Sequence, residues 1–251
     1  MASRKRAGEN HGRLFPGKVS TLAVTDPELI DIFDNFAFDD VLSLGNLDDR
    51  TRLMAQLAAM IAAQALGEYR IMAGAALAVG VTPVEVREIV YQAVPYVGMA
   101  KVFDFIQATN DVFRAHGIEL PLPGQSTTTT ENRAEKGLGI QKQMIGSDVV
   151  ERLYASSPGD QLHIQRFLSA NCFGDYYTRN GIDVPTRELL TLSMLVALGG
   201  CEPQVKGHVA VNLNVGNDRA RMIDTLTQLL PFIGYPRTLN GLRAIDEVTA
   251  C

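Results

Sequence analysis

The chain repeats itself at a nearly constant offset, and this limits its possible folds more than any other feature. Leu77-Ala78-Val79-Gly80 returns as Leu213-Asn214-Val215-Gly216, and Gln92-Ala93-Val94-Pro95-Tyr96-Val97-Gly98 returns as Gln228-Leu229-Leu230-Pro231-Phe232-Ile233-Gly234. Both shifts are 136 positions (216 − 80 and 231 − 95), and Lys101 meets Arg237 at the same spacing. Asp48-Asp49-Arg50-Thr51-Arg52 meets Asp183-Val184-Pro185-Thr186-Arg187 at 135, so one residue is inserted between the matched blocks. Glycine and proline punctuate helices, so their alignment predicts one chain trace drawn twice.

Within each copy the apolar spacing is helical. Asp26 to Phe38 is amphipathic. Asp48 caps an apolar run that continues to Ala65, and a further helix spans Glu68 to Ala78, stopping at Gly80. Thr82-Pro83-Val84-Glu85 has the form of a capped start, and that helix should end before Pro95. Met99 to His116 follows, and beyond residues 121–131 Ala134 to Ile145 and Asp148 to Tyr154 are helical by period. Few segments alternate with period two, which argues against a substantial sheet. The expectation is an all-α fold of two tandem helical domains packed as a pseudo-dimer. Residues 1–20 would be a flexible basic tail, 21–120 a degenerate first repeat, 121–131 an extended linker and 132–251 the second domain.

Composition excludes several function classes. A net charge of −5 and no tryptophan leave neither a basic surface nor a stacking platform for nucleic acid. No apolar run reaches the ~20 residues of a membrane helix, and no apolar stretch follows the basic N-terminus to make a secretory signal. Cys172, Cys201 and Cys251 lack the spacing of a disulfide scaffold, so a reducing cytoplasm is expected. Within residues 186–214 a single histidine with scattered acids is no metal-ligand set.

Chemistry concentrates between Thr186 and Asn214. Asp183 and Pro185 begin a helix that Gly199-Gly200 ends, and Pro203 begins the next. Cys201 therefore sits at a helix N-terminus, where partial positive charge favours a thiolate. His208 lies two turns further on the same face, Gln204 one turn on, and Glu188 in the first turn of the preceding helix. The spacing also suits a small buried cysteine, a hydrogen-bonded core histidine and a first-turn acid. The first copy lacks this set. Cys201 corresponds to Ala65, Gln204 to Glu68, His208 to Met72 and Glu188 to Arg52. The first half then reads as a structural partner, with Glu68 as a candidate to reach a site shared between halves.

Several motifs in the second half resemble the carboxymuconolactone decarboxylase family and the related alkylhydroperoxidase D-like proteins. They are Cys172-Phe-Gly-Asp-Tyr-Tyr-Thr-Arg179, Gly181 through Glu188 to Leu192, Ala197-Leu-Gly-Gly-Cys-Glu-Pro-Gln-Val-Lys-Gly-His208 and Pro231 to Asn240. Arg133 through Lys136-Gly137 to Gly146 is similar to the start of the decarboxylase domain. The resemblance implies an all-helical, cofactor-free protein that assembles as a ring, here a homotrimer of duplicated chains with sites between subunits.

Two activities follow from it. The peroxidase branch uses Cys-x-x-Cys and a histidine. Cys201 and His208 match, but Gln204 replaces the second cysteine, leaving Cys172 or an external thiol to resolve the first. The decarboxylase branch needs a cation clamp and a proton donor for the dienolate left by CO₂ loss. The resemblance puts Arg179 in the clamp role, His208 as acid/base, Glu188 as its orienter, Cys201 as a site-lining thiol, and Phe173 and Tyr177 where the family usually has tryptophan. The leading expectation is a decarboxylase-like enzyme acting on a small lactone or carboxylic acid. A thiol-dependent peroxidase or disulfide reductase of the alkylhydroperoxidase D type with Cys201 as nucleophile, and a non-catalytic small-acid-binding member, are the alternatives.

Overall fold

The computed structural model describes residues 2–17 and 20–250, so Cys251 lies outside the described residues. The helices are α1 (Ala2–Leu14), α2 (Leu22–Thr25), α3 (Pro27–Asn35), α4 (Asp49–Ala63), α5 (Leu66–Ala78), α6 (Pro83–Val97), α7 (Met99–Ala115), α8 (Arg133–Ile145), α9 (Ser147–Ser156), α10 (Leu162–Phe167), α11 (Val184–Leu198), α12 (Glu202–Asn214), α13 (Arg219–Ile233) and α14 (Tyr235–Thr249). Two π-helical segments, Phe36–Asp40 and Leu168–Tyr177, extend α3 and α10. There is no strand among the described residues.

The duplication is visible element by element. Helices α4 to α7 correspond in order to α11 to α14. Side chains cap the matched starts: Asp48 accepts from the Thr51 amide and Asp183 from the Thr186 amide, and Thr82 and Asp218 do the same for α6 and α13. Helix α4 packs along α11, while α6 packs on α11 and α13 on α4. This reciprocity is the pattern of a two-fold interface, here inside one chain. α11 is buried continuously from Arg187 to Ala197, as is α4 from Arg52 to Ala62, because each is covered by its own half and by the other. One core accordingly runs through both halves, with Leu53, Met60, Leu189, Met194 and Leu226 among its members.

Helix register corrects one expected correspondence. α4 and α11 are related by 135, so Arg52 pairs with Arg187 and Glu188 with Leu53; the extra residue lies in the Gly199-Gly200-Cys201 turn. Both glycines of that turn have positive φ, 69° and 70°, which glycine adopts without strain, whereas Gln64 makes the matched turn of the first half at φ 60°. α6 also differs from expectation by running through Pro95 to Val97, as α13 runs through Pro231 to Ile233. A proline in the last turn removes only one backbone donor, and the Gly98 amide still closes on the Val94 carbonyl.

The N-terminal segment is no solvated tail. α1 packs on Phe36–Asp40 and touches α5, as α8 packs on Leu168–Tyr177 and touches α12. Its polar composition hides the spacing Ala7, Leu14, Phe15, all buried, and Arg6 Nε meets the buried Asp39 carboxylate at 2.9 Å. α1 thus takes in the first half the place that α8 takes in the second. Among the described residues no helix is long and apolar enough to cross a membrane.

Candidate active site

Leu168–Tyr177, α11, α12 and the end of α6 converge on the buried Glu188. Helix α8 fixes the first of these from behind. A Cβ on Gly137 would lie 2.0 Å from the Ser169 carbonyl oxygen, and one on Gly174 2.2 Å from that of Arg133, so only glycine lets the two backbones touch. This contact brings Cys172, Phe173 and Tyr177 into a small cluster with Met144 and Val211. The wide π turn, often associated with functional sites, turns Tyr177 inward toward α11.

The Glu188 carboxylate is the terminus of a directed hydrogen-bond chain. His208 Nδ1 lies 2.8 Å from Oε2 and the Tyr177 hydroxyl donates to Oε1 at 2.5 Å. An ionised carboxylate only accepts, so Nδ1 donates and Nε2 is left to exchange a proton. Tyr96 lies 2.8 Å from the Tyr177 oxygen, and the Cys172 thiol donates to Tyr96 at 3.8 Å. Thr191 adds a contact to Tyr177 at 3.0 Å. Asn212, one turn beyond His208, donates to the carbonyls of both His208 and Glu188 and so pins α12 to α11. The Tyr96 ring stands edge-on to the imidazole, centroids 5.5 Å apart. His208 keeps 19% of its side chain exposed against 1% for Glu188, and Tyr96 is likewise only partly buried. Burial, foremost, with the Glu188 charge nearby, raises the Tyr96 and Tyr177 hydroxyls well above the ordinary tyrosine value and pushes the Cys172 thiol up to about 12. These groups keep their protons at neutral pH.

The other expected site residues lie elsewhere. Cys201 is the N-cap of α12, but its thiol donates to the Leu195 carbonyl at 3.3 Å. Burial and then the Glu202 carboxylate raise its pKa, opposite to the expected thiolate. It lines a cavity of about 50 Å³ with Arg237, Asn240 and Gly241, and His208 is not part of that lining. Cys201 and Cys172 are both free thiols and belong to different apolar clusters. Gln204 is exposed on α12.

Arg179 was expected to clamp a substrate carboxylate. Its guanidinium is already occupied: Nε and Nη2 grip the Glu88 carboxylate at 2.9–3.1 Å, and the group lies over the Tyr91 ring. Buried Arg187 holds the same carboxylate at 2.9 Å. Glu68 does not reach between the halves; it lines a cavity made wholly by the first half. Among the described residues no cation is bonded to the His208–Glu188–Tyr177 cluster, and no group of three or more histidine, cysteine or acidic side chains could hold a metal ion.

Tyr96 escaped the sequence reading. A hydroxyl where the repeated block has Phe232 was the available signal. In the first half Leu53, Met72 and Ala76 stand where the second has Glu188, His208 and Asn212, which replaces every polar member by an apolar one.

The sequence profile of the carboxymuconolactone decarboxylase family matches the chain twice, over residues 27–111 and 163–247, again 136 apart (163 − 27). The 4-carboxymuconolactone decarboxylase of Acinetobacter baylyi is 25% identical over 118 residues, 47% of this chain and 87% of that protein. An uncharacterized 15.0 kDa protein of Paracoccus denitrificans is 29% identical over 102 residues, 40% of this chain and 71% of its own length.

Proposed function

The chain belongs to the carboxymuconolactone decarboxylase family, and from that premise we propose that it is a cofactor-free enzyme acting on a small lactone or carboxylic acid, with His208 as acid and base. The observation that carries this is the partly exposed imidazole whose Nδ1 is held by a buried carboxylate. Loss of CO₂ from an acidic lactone leaves an electron pair delocalised as a dienolate, and a proton on His208 Nε2 can be delivered to it. Glu188 then stabilises the ring orientation and the imidazolium formed when Nε2 takes up the next proton. Tyr177 holds the other carboxylate oxygen, so Glu188 has one orientation. The raised, carbonyl-bonded Cys201 thiol and its separation from His208 favour this chemistry over a thiol peroxidase cycle. The substrate carboxylate would be met by a group other than Arg179.

We also propose that the chain works as a cytoplasmic homotrimer. Its free thiols suit a reducing compartment. Met99 and Phe103 on α7 and their counterparts Tyr235 and Leu239 on α14 are all at least half exposed. The same apolar positions on both halves suit a repeating contact between chains.

The test is an assay of CO₂ release from carboxymuconolactone and related lactone acids by the wild type, His208→Gln and Glu188→Gln. Turnover in the wild type and its loss in His208→Gln is the expected result. Undiminished turnover by His208→Gln would refute the assignment.

A further inference from the structure

A wide, partly open cavity belongs to the half that has lost the catalytic set. Between α1, α3, Phe36–Asp40 and α5 lies a cavity of about 470 Å³, within the range of small-molecule sites. Phe15, Phe33, Phe38, Leu29 and Ile71 give it an apolar wall. Among the described lining residues are the carboxyls of Glu68 from α5 and Asp34 from α3 and the imidazole of His11, with no lysine or arginine. Asp34 has the nearby His11 imidazole acting on it, and His11 is itself packed against the Phe15 and Phe38 rings. Glu68 has neither hydrogen bond nor ion pair among the described residues, and its carboxyl is raised by burial alone. Such a carboxyl gains from a cation brought to it.

We propose that this cavity binds an apolar organic cation, an alkyl- or arylamine, with its hydrocarbon part against the phenylalanine wall and its ammonium on Glu68. An anion would meet two carboxyl groups and, among the described residues, no fixed positive charge, and a neutral molecule would leave Glu68 without a partner. The site binds without turnover, because Met72 and Leu53 stand in the positions of His208 and Glu188. It shares no lining residue with the His208 cluster, so it stands independently of the proposed reaction.

The test is calorimetric titration of the full-length protein with phenylbutylamine, phenylbutanol and phenylbutanoate, which share a hydrocarbon part and differ in charge. One amine site is expected, at least about tenfold tighter than for the alcohol or the acid. Glu68→Gln should weaken the amine by a similar factor and leave the alcohol unchanged. Ile71→Trp, which fills the cavity, should weaken both. Equal affinity for amine and alcohol, an amine affinity unchanged in Glu68→Gln, or absence of binding by all three probes would each overturn the proposal. Circular dichroism of both variants confirms folding. Glu68→Gln should also raise the thermal midpoint without ligand, since it removes an unpaired acid; a fall would count against the argument.

Discussion

Glu88→Gln tests how the two halves are joined. Glu88 is 1% exposed on α6 of the first half and holds two guanidinium groups of the second: Arg187, fully buried, and Arg179 at 15% exposure. Arg187 also donates to the carbonyls of Ile182, Arg179 and Asn180 and to Gln92. The amide substitution therefore leaves its hydrogen bonds largely made but removes the negative charge paired with it. Stranding one member of a buried ion pair costs about 3–5 kcal/mol, a large share of the ~5–15 kcal/mol that stabilises a typical domain. Arg52, the counterpart of Arg187, pairs with Asp49 on its own helix instead, so no equivalent bridge on the other side of the pseudo-two-fold takes up the loss. At a loss of about 2–4 °C per kcal/mol for a chain of this size, the thermal midpoint should fall on the order of 6–20 °C. The assay is urea unfolding at fixed protein concentration, with Arg70→Ala as control. Arg70 and Asp111 make a pair of similar length, but with both partners exposed, and its loss should cost less than about 1 kcal/mol. If Glu88→Gln costs no more than the control, the buried ions do not join the halves and the reasoning fails.

Three further outcomes are expected. Gly137→Ala should destabilise the protein by at least about 1–3 kcal/mol in urea unfolding, because the new methyl meets the Ser169 backbone rather than a movable side chain. It should also lower turnover, since that contact positions Tyr177. Tyr177→Phe leaves a buried carboxylate oxygen without its donor, a loss of about 1.5–3 kcal/mol. If that loss falls on the imidazolium-forming step, steady-state kinetics should show kcat down by roughly ten- to a hundredfold with little change in KM. Stability should fall in alkali: Cys172, Tyr69, Tyr96 and Tyr177 all have folded-state pKa values above their ordinary ones. Their contribution is complete below about pH 8, where the unfolded thiol keeps its proton, and is lost progressively as pH rises through about 12. Urea midpoints measured from pH 7 to 11 check this, and Cys172→Ala should flatten the early part of the decline.

The sequence by itself determined the class of fold and its duplication. Capping residues at Asp48, Thr82 and Asp183, and glycines at 98, 199 and 234, act within a few residues of their own backbone, so their meaning survives without tertiary structure. The same holds for the family resemblance and for the pairing of Glu188 with His208, which rests on two adjacent helices joined by a tight turn. What the sequence left open was everything decided by distant partners. Arg179 carried a motif that suggested a free cation, and only packing brings Glu88 of the other half against it. Cys201 sat at a helix N-terminus, but burial and the Leu195 carbonyl outweigh the partial charge there. Tyr96, 81 positions from Tyr177, entered the site because the two halves pack face to face. Helix caps and turns are local interactions, whereas burial and long-range ion pairing exist only once the chain has closed on itself.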